Sequence, residues 1–465
     1  MRLLQREWPL LRREGVLLWA LGALIMLCFV AALNGRSVVS GAQLRAQAHV
    51  SQAVSLRDTL MIQAERGLAT ARAPGPVGFS VLSVPVILPL APLEAFAIGQ
   101  NDLLPRSFEV TARGAHTFLS QIEPDNSLRL SVGNFDLAFV VVWLLPLLVI
   151  ALSFNLISGE RERGILSLAT VAGTNIKNLV LGKLIVRAGL LIAALFLSLF
   201  LAALVGGIPL NTISGVQAWL CWFGLAAVYA IFWFCLSFYI NTRNLTSEHN
   251  AALLAGLWLF WVVLCPAITN LAATTMFAAP SRVALTTALR EATEDADRAS
   301  AGDRDRWFFD HPSAQGGEMD QNTYFKSVAQ SEKLIAAAVV PKLEEFTIQA
   351  QHQQEIVSVL QYLSPGTLTY QSLTALSGSD GIRHRAFNAQ VKVFHSQWVN
   401  FFYSRLWADQ TLQAADYRKL PQFYFSEADL PAAFKISTWP LAVLLMLSAL
   451  FFALGLSRLP RTSVV

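Results

Sequence analysis

Charge is what this sequence has least of. Only 14% of its 465 residues are charged while 54% are hydrophobic, whereas an ordinary soluble domain carries roughly 25% charged residues. Residues 15–35, 137–159, 188–242, 249–281 and 436–457 contain no Asp, Glu, Lys or Arg at all. A membrane-crossing helix needs about 20 apolar residues, and the 188–242 tract is long enough for two, broken at GGIPLNTISG. The pattern predicts a mainly α, polytopic membrane protein with six spans, at 16–34, 137–157, 184–205, 218–239, 250–273 and 439–457.

Other absences narrow the chemistry. There are four cysteines, Cys28, Cys221, Cys235 and Cys265, all inside these tracts. That leaves none for a disulfide staple in the long segments between spans, and no CxxC metal pattern. No span carries Asp or Glu near its centre, which argues against a proton- or sodium-coupled carrier. No GxxxxGK[ST] phosphate loop exists, since Gly182-Lys183 is followed by Leu184 and lacks the upstream glycine. HExxH, GxSxG and GxGxxG are missing too, so no catalytic, metal or cofactor residue is nominated. The seven histidines are scattered; His384 and His395, with His352 upstream, could meet outside the membrane, but their spacing is no metal pattern. A net charge of +4 gives no support for nucleic-acid binding.

What charge there is sets the orientation. With a cytoplasmic N-terminus, the short inner segments hold Arg2, Arg6, Arg12, Arg13, Arg161, Arg163, Lys177, Lys183, Arg243, Arg458 and Arg461. The short outer loop 206–217 holds no Lys or Arg, so the positive-inside rule puts both termini in the cytoplasm. The first span is then an uncleaved signal-anchor. Segments 35–136 and 274–438 become extracytoplasmic insertions, the second mostly helical. Segments 1–15, 158–183, 240–249 and 458–465 lie inside.

Local signals fill in the rest. Leu3, Leu4, Trp8 and Leu11 could line an interfacial helix, with Arg2, Arg6 and Arg13 towards the headgroups, or form a plain basic flank; Arg12 and Arg13 are placed at the membrane interface. Residues 41–72 read as helical. Residues 73–93, rich in proline, read as extended rather than as a seventh span. Pro146 predicts a kink in the second span whose freed carbonyl a neighbouring helix can satisfy. Ser281 could cap a helix running to Arg298. Helices follow at 322–340 and 342–362, separated by Pro341, and from Gly381 to Gln410, before an extended Gln422–Phe425. Trp219, Trp222, Trp233, Tyr239, Trp258 and Trp261 read as interfacial belt. Lys183 and Arg187, four apart, read as snorkelling to the membrane interface.

The chain is organised around SGERERGILSLATVAGTNIKNLVLGK, residues 158–183. Each ionised side chain at mid-bilayer costs about 2.5–3.5 kcal/mol, so the run Glu160, Arg161, Glu162, Arg163 has to sit at or beyond the membrane surface. The connector therefore folds back at one face with a charged tip and an apolar helical flank. Together with its flanking spans, from Phe135 to Leu190, it resembles the second span, connector and third span of ABC-2-type permease subunits. The resemblance rests on Glu160, Glu162 and Gly164, the leucine-rich turn after them, and Leu181-Gly182-Lys183. IGQNDLLP at 98–105 and LSGSDGIRHRAFNAQVKVFHSQW at 376–398 are similar to a subset with two large outer insertions. Ile165 stands where the family often has threonine.

The resemblance implies a half-transporter of the type V exporter kind. It would pair with a second permease half, the same chain or a paralogue, and rest on two cytoplasmic ABC ATPase subunits that carry the ATP and Mg. This chain would itself hold no cofactor and catalyse nothing. Residues 158–183 would be the coupling helix, with Glu160, Arg161, Glu162 and Arg163 as ionic contacts, Gly164 as the turn, and Ile165, Leu166 and Leu168 as apolar anchor. The expected setting is the bacterial inner membrane, with lipid around the spans and scope for a periplasmic partner. A second reading remains open: a mechanotransmission or scaffold protein acting through its outer domains without passing cargo.

Overall fold

The structure, a computed structural model, describes residues 15–99, 104–114, 135–173, 175–276, 286–288, 290–295, 298–299, 302, 309, 321–427 and 430–459. Arg12, Arg13, Ser281 and the whole stretch 115–134 lie outside the described residues. The chain is mostly helical, with six helices long and apolar enough to cross a membrane. In order, the helices are α1 (Val16–Glu65), α2 (residues 137–153), α3 (Ser158–Glu162), α4 (Ile165–Val171), α5 (Ile176–Gly206) and α6 (Ile213–Asn241). Then come α7 (residues 247–276), α8 (Gln321–Leu360), α9 (Pro365–Ser377), α10 (Gly381–Trp407) and α11 (Leu430–Arg458). An antiparallel pair, β1 (Val84–Ile87) and β2 (Ser107–Val110), registers Val84 against Val110.

The six apolar helices share one core, in which α5 lies along α1 and α6 along α11. A second core forms beyond the bundle, at the end away from the α3–α4 connector. It joins the far end of α1 (Leu60, Ala64), the hairpin (Val86, Phe108, Val110) and α10 (Phe387, Trp398, Phe402). The two insertions that the sequence separates thus build one distal domain.

Helix α1 differs from expectation by not stopping. Its 50 residues run unbroken through Asn34-Gly35-Arg36, where the sequence reading ends a span and starts a separate helix. No proline interrupts it, and each of its three interior glycines, Gly22, Gly35 and Gly41, costs only about 1 kcal/mol relative to alanine. Gly35 is required there, because the Ala95 carbonyl oxygen lies 2.0 Å from where a Cβ would sit.

Prolines behave according to who can take the freed carbonyl. In α2, a π-turn at Val140–Leu144 precedes Pro146. The Tyr229 hydroxyl donates to the Val142 carbonyl at 3.2 Å, and Trp258 Nε1 to the Trp143 carbonyl at 3.1 Å. Helix α7 repeats the device, with a π-turn at Leu259–Leu264 before Pro266 and the Ser364 hydroxyl donating to the Trp261 carbonyl. Pro341 does not divide two helices as the sequence suggests; α8 is continuous over 40 residues. Pro341 and Ala337, whose carbonyl it frees, are both exposed, so water can satisfy that group. Around 74–81 the chain is helical rather than extended, and the expected strand character begins at Val84.

The tryptophans also correct the reading. Trp222 and Trp233 are fully buried, and Trp219 is buried with Nε1 donating to the Leu199 carbonyl at 3.1 Å. They fill the bundle rather than belt it, because α6 is enclosed on most sides by α5, α2, α9 and α11. The sequence reading assigns no element between 363 and 380, yet α9 is there and packs against α6, α7 and α11. Ser377 Oγ accepts from Trp222 Nε1 at 3.2 Å, so this short helix closes the end of the bundle opposite the connector.

His384 and His395 do not meet. Eleven residues apart on α10, they are separated by about 16 Å of helix rise. His395 contacts the Arg113 carbonyl at 2.6 Å, and His384 is buried beside Phe387. Burial, with Arg106 and Arg385 nearby, pushes His384 from 6.5 down to about 4. Between those two values the unfolded chain binds a proton that the folded domain refuses, so stability rises with pH there and acid removes it. The distal domain should therefore lose on the order of 3 kcal/mol as pH falls from 6.5 to 4. Thermal unfolding across that range should show the loss, and His384→Asn should flatten it.

Candidate functional site

The connector is a chain of short pieces joined at glycines. Helix α3 ends at Glu162, Gly164 takes φ +72°, α4 runs Ile165–Val171, and Gly173 takes φ +70° before α5 begins. Left-handed backbone favours glycine because other side chains clash there. These two positions let the connector double back between α2 and α5.

Its charged run faces inward more than the sequence suggests. Glu160 pairs with Lys183 Nζ at 2.5 Å, both side chains largely buried. Arg161 donates to the Leu245 carbonyl at 2.6 Å and the Asn244 amide oxygen at 3.3 Å. Glu162 accepts from the Ser247 backbone N–H at 2.6 Å and the Ser247 hydroxyl at 2.8 Å. Its carboxylate thus sits on the first turn of α7, where the helix dipole favours negative charge. Arg187, buried, donates to the Leu152 carbonyl and to Asn155 at 3.2 Å, closing the end of α2. The sequence reading sends Lys183 and Arg187 to the headgroups; here both cationic heads are held by protein.

Beneath these pairs lies a polar knot with no counterpart in the sequence reading. Asn241, fully buried at the end of α6, donates to the Ser153 carbonyl at 2.9 Å and accepts from the Ile157 N–H at 3.2 Å. Asn250, also buried, donates to Ser158 Oγ at 3.2 Å and the Phe154 carbonyl at 3.3 Å. Ser158 and Ser247 share a hydroxyl contact at 2.9 Å. The only sequence signal is two asparagines near the ends of the 242–246 loop, inside otherwise apolar tracts. The knot locks α2 and the connector to α6 and α7.

Its outward edge is apolar. Of the three anchor residues, Leu166 is only 3% exposed and belongs to the bundle core, so it is removed from any outer contact. Ile165 is 40% exposed and Leu168 73%, while Val171, outside the anchor set, reaches 91%. Spacing of three residues puts Ile165, Leu168 and Val171 on one face of α4. Arg163 is exposed beside that edge.

Comparison with known proteins touches the other end of the molecule. The model of a family described as a domain of unknown function (DUF3526) matches residues 282–426, well under half of the chain. That match covers α8, α9 and α10 and excludes the connector. No curated protein matches the chain.

Proposed function

We propose that this chain is the membrane-spanning subunit of an ATP-driven ABC transporter, an exporter of the ABC-2 type. In this reading residues 158–183 seat on a separate ATPase, and the chain itself catalyses nothing. Two cytoplasmic ATPase subunits bind ATP and Mg, and a second permease half completes the pathway. The membrane is the bacterial inner membrane, with both termini cytoplasmic and the distal domain outside.

The observation that carries the reading is the pairing of an exposed apolar edge with a rigid base. Ile165, Leu168 and Val171 point away from the molecule, while Glu160, Arg161 and Glu162 tie the same segment to α5, the α6–α7 loop and α7. A force applied to α4 therefore passes directly into three spans. A second reading, mechanotransmission, draws support from α1, which runs unbroken from its apolar span into the distal core.

Gentle affinity purification from native membranes, with mass spectrometry of what remains bound, tests the proposal. Recovery of a soluble subunit with a Walker-type ATP site is the expected result. If none is captured even after cross-linking through 158–183, the ABC reading fails.

A further inference from the structure

Residues 356–379 hold no Asp, Glu, Lys, Arg or His, although they lie outside the six apolar helices. Glu355 bounds this tract at one end and Asp380 at the other. It does not cross the bundle but folds as a V. One limb is the end of α8 with the 3-10 turn Gln361–Leu363, the other is α9, and Ser364-Pro365 is the vertex.

Hydrogen bonds to the spans fix the depth of the V. The Ser364 hydroxyl donates to the Trp261 carbonyl, and Trp261 lies about 21 Å along α7 from Ser247 at the connector end. Hydrocarbon is about 30 Å thick, so the vertex sits roughly 9 Å below the surface away from the connector; any tilt of α7 sinks it further. Ser377 at the top of α9 meets Trp222, about 28 Å along α6 from Asn241, close to that surface. Glu355 stands about 12 Å up α8 from Leu363 and emerges just beyond it. Trp439, 64% exposed where the apolar window of α11 begins, suits the same interface.

The polar groups of the V are prepared for that depth. Irregular backbone is tolerated in hydrocarbon only where protein buries it, and Ser364, Pro365 and Gly366 are buried. Thr369 donates to the Pro365 carbonyl at 2.7 Å, Ser372 to Leu368 at 2.8 Å and Thr374 to Tyr370 at 3.1 Å. These hydroxyls need no water. What the V turns outward is apolar: Val359 is 68% exposed and Leu363 61%, four residues apart on one side.

We propose that the foot of α8 is a re-entrant lipid-contact surface, dipping into the leaflet away from the connector with Val359 and Leu363 against acyl chains and Glu355 at the headgroups. The distal domain is then rooted in the bilayer through α8 as well as through α1. The inference needs the bundle to cross a membrane but neither an ATPase nor a transport direction, so it stands or falls apart from the proposed function.

The test places the photo-reactive p-benzoylphenylalanine at Leu363, Val359 or Ile348 in the full chain, reconstituted in phosphatidylcholine–phosphatidylglycerol vesicles. Ile348 is 53% exposed and lies higher on α8, as the aqueous control. After irradiation, mass spectrometry should find acyl-chain adducts at Leu363 and Val359 and none at Ile348. In the same vesicles a membrane-impermeant maleimide should modify Leu363→Cys at least about tenfold more slowly than Ile348→Cys, because the reactive thiolate is disfavoured away from water. The unsubstituted chain, whose four cysteines lie in the spans, sets the background. Equal maleimide rates, lipid adducts no more frequent at Leu363 than at Ile348, or a cross-linked dimer through position 363 overturns the proposal.

Discussion

If the proposed function holds, a chain carrying Leu168→Asp with Val171→Asp inserts and folds normally but neither stimulates nor retains the proposed ATPase subunit. Both side chains are more than 70% exposed in the isolated chain, at 73% and 91%, so the change costs the fold little. Docked in a groove, each would contribute about 1.5–3 kcal/mol by burial, and aspartate would add the penalty of a desolvated charge. A combined loss of at least about 3–6 kcal/mol weakens association 10²- to 10⁴-fold. Leu166→Asp is the contrast. At 3% exposure it belongs to the bundle core, so it should lower the amount of folded protein instead. Co-purification and ATP hydrolysis read the first outcome, and detergent-solubilised yield the second. Unimpaired binding by the double variant would remove α4 as the docking element. Charge reversal at Glu160 and Glu162 is the poorer test, since both carboxylates are occupied within the chain.

The other large effect belongs to Asn241. Asn241→Leu keeps the volume but leaves the buried Ile157 N–H without its acceptor and takes from the Ser153 carbonyl one of its two donors, the Leu156 N–H remaining. An orphaned buried backbone group costs about 1–3 kcal/mol, so a loss of that order should appear in the joint between α2, α6 and the connector. The loss should be local. Amide exchange across 153–163 should accelerate at least tenfold, while amides in the distal domain around Phe394–Phe402 keep their protection. Unchanged exchange in 153–163 would mean that the knot does not hold the connector.

Much of the layout was legible because hydrocarbon imposes simple rules. Uncharged tracts of the right length mark the spans, and a cluster of four ionised residues marks a surface turn. The kink at Pro146 and its donated bond were also foreseeable in kind, though not that Tyr229 would supply it. What stayed hidden depends on partners distant in sequence. Nothing local tells that Lys183 will meet Glu160 rather than lipid, or that Leu166 turns inward while Val171 turns out. Helix α9 was invisible for the same reason. Its hydroxyl-rich sequence PGTLTYQSLTALS looks like a loop until α6, α7 and α11 surround it.

The uninterrupted length of α1 has a mechanical meaning. At 50 residues it is a stiff rod of about 75 Å. One end lies along α5, the span that the connector feeds, and the other is embedded in the distal core through Leu60 and Ala64. A tilt of about 5° at the membrane would carry the far tip roughly 6 Å, more than one helical turn. The rod is thus a lever, able to turn a small rocking of the spans into a stroke felt well beyond the bilayer.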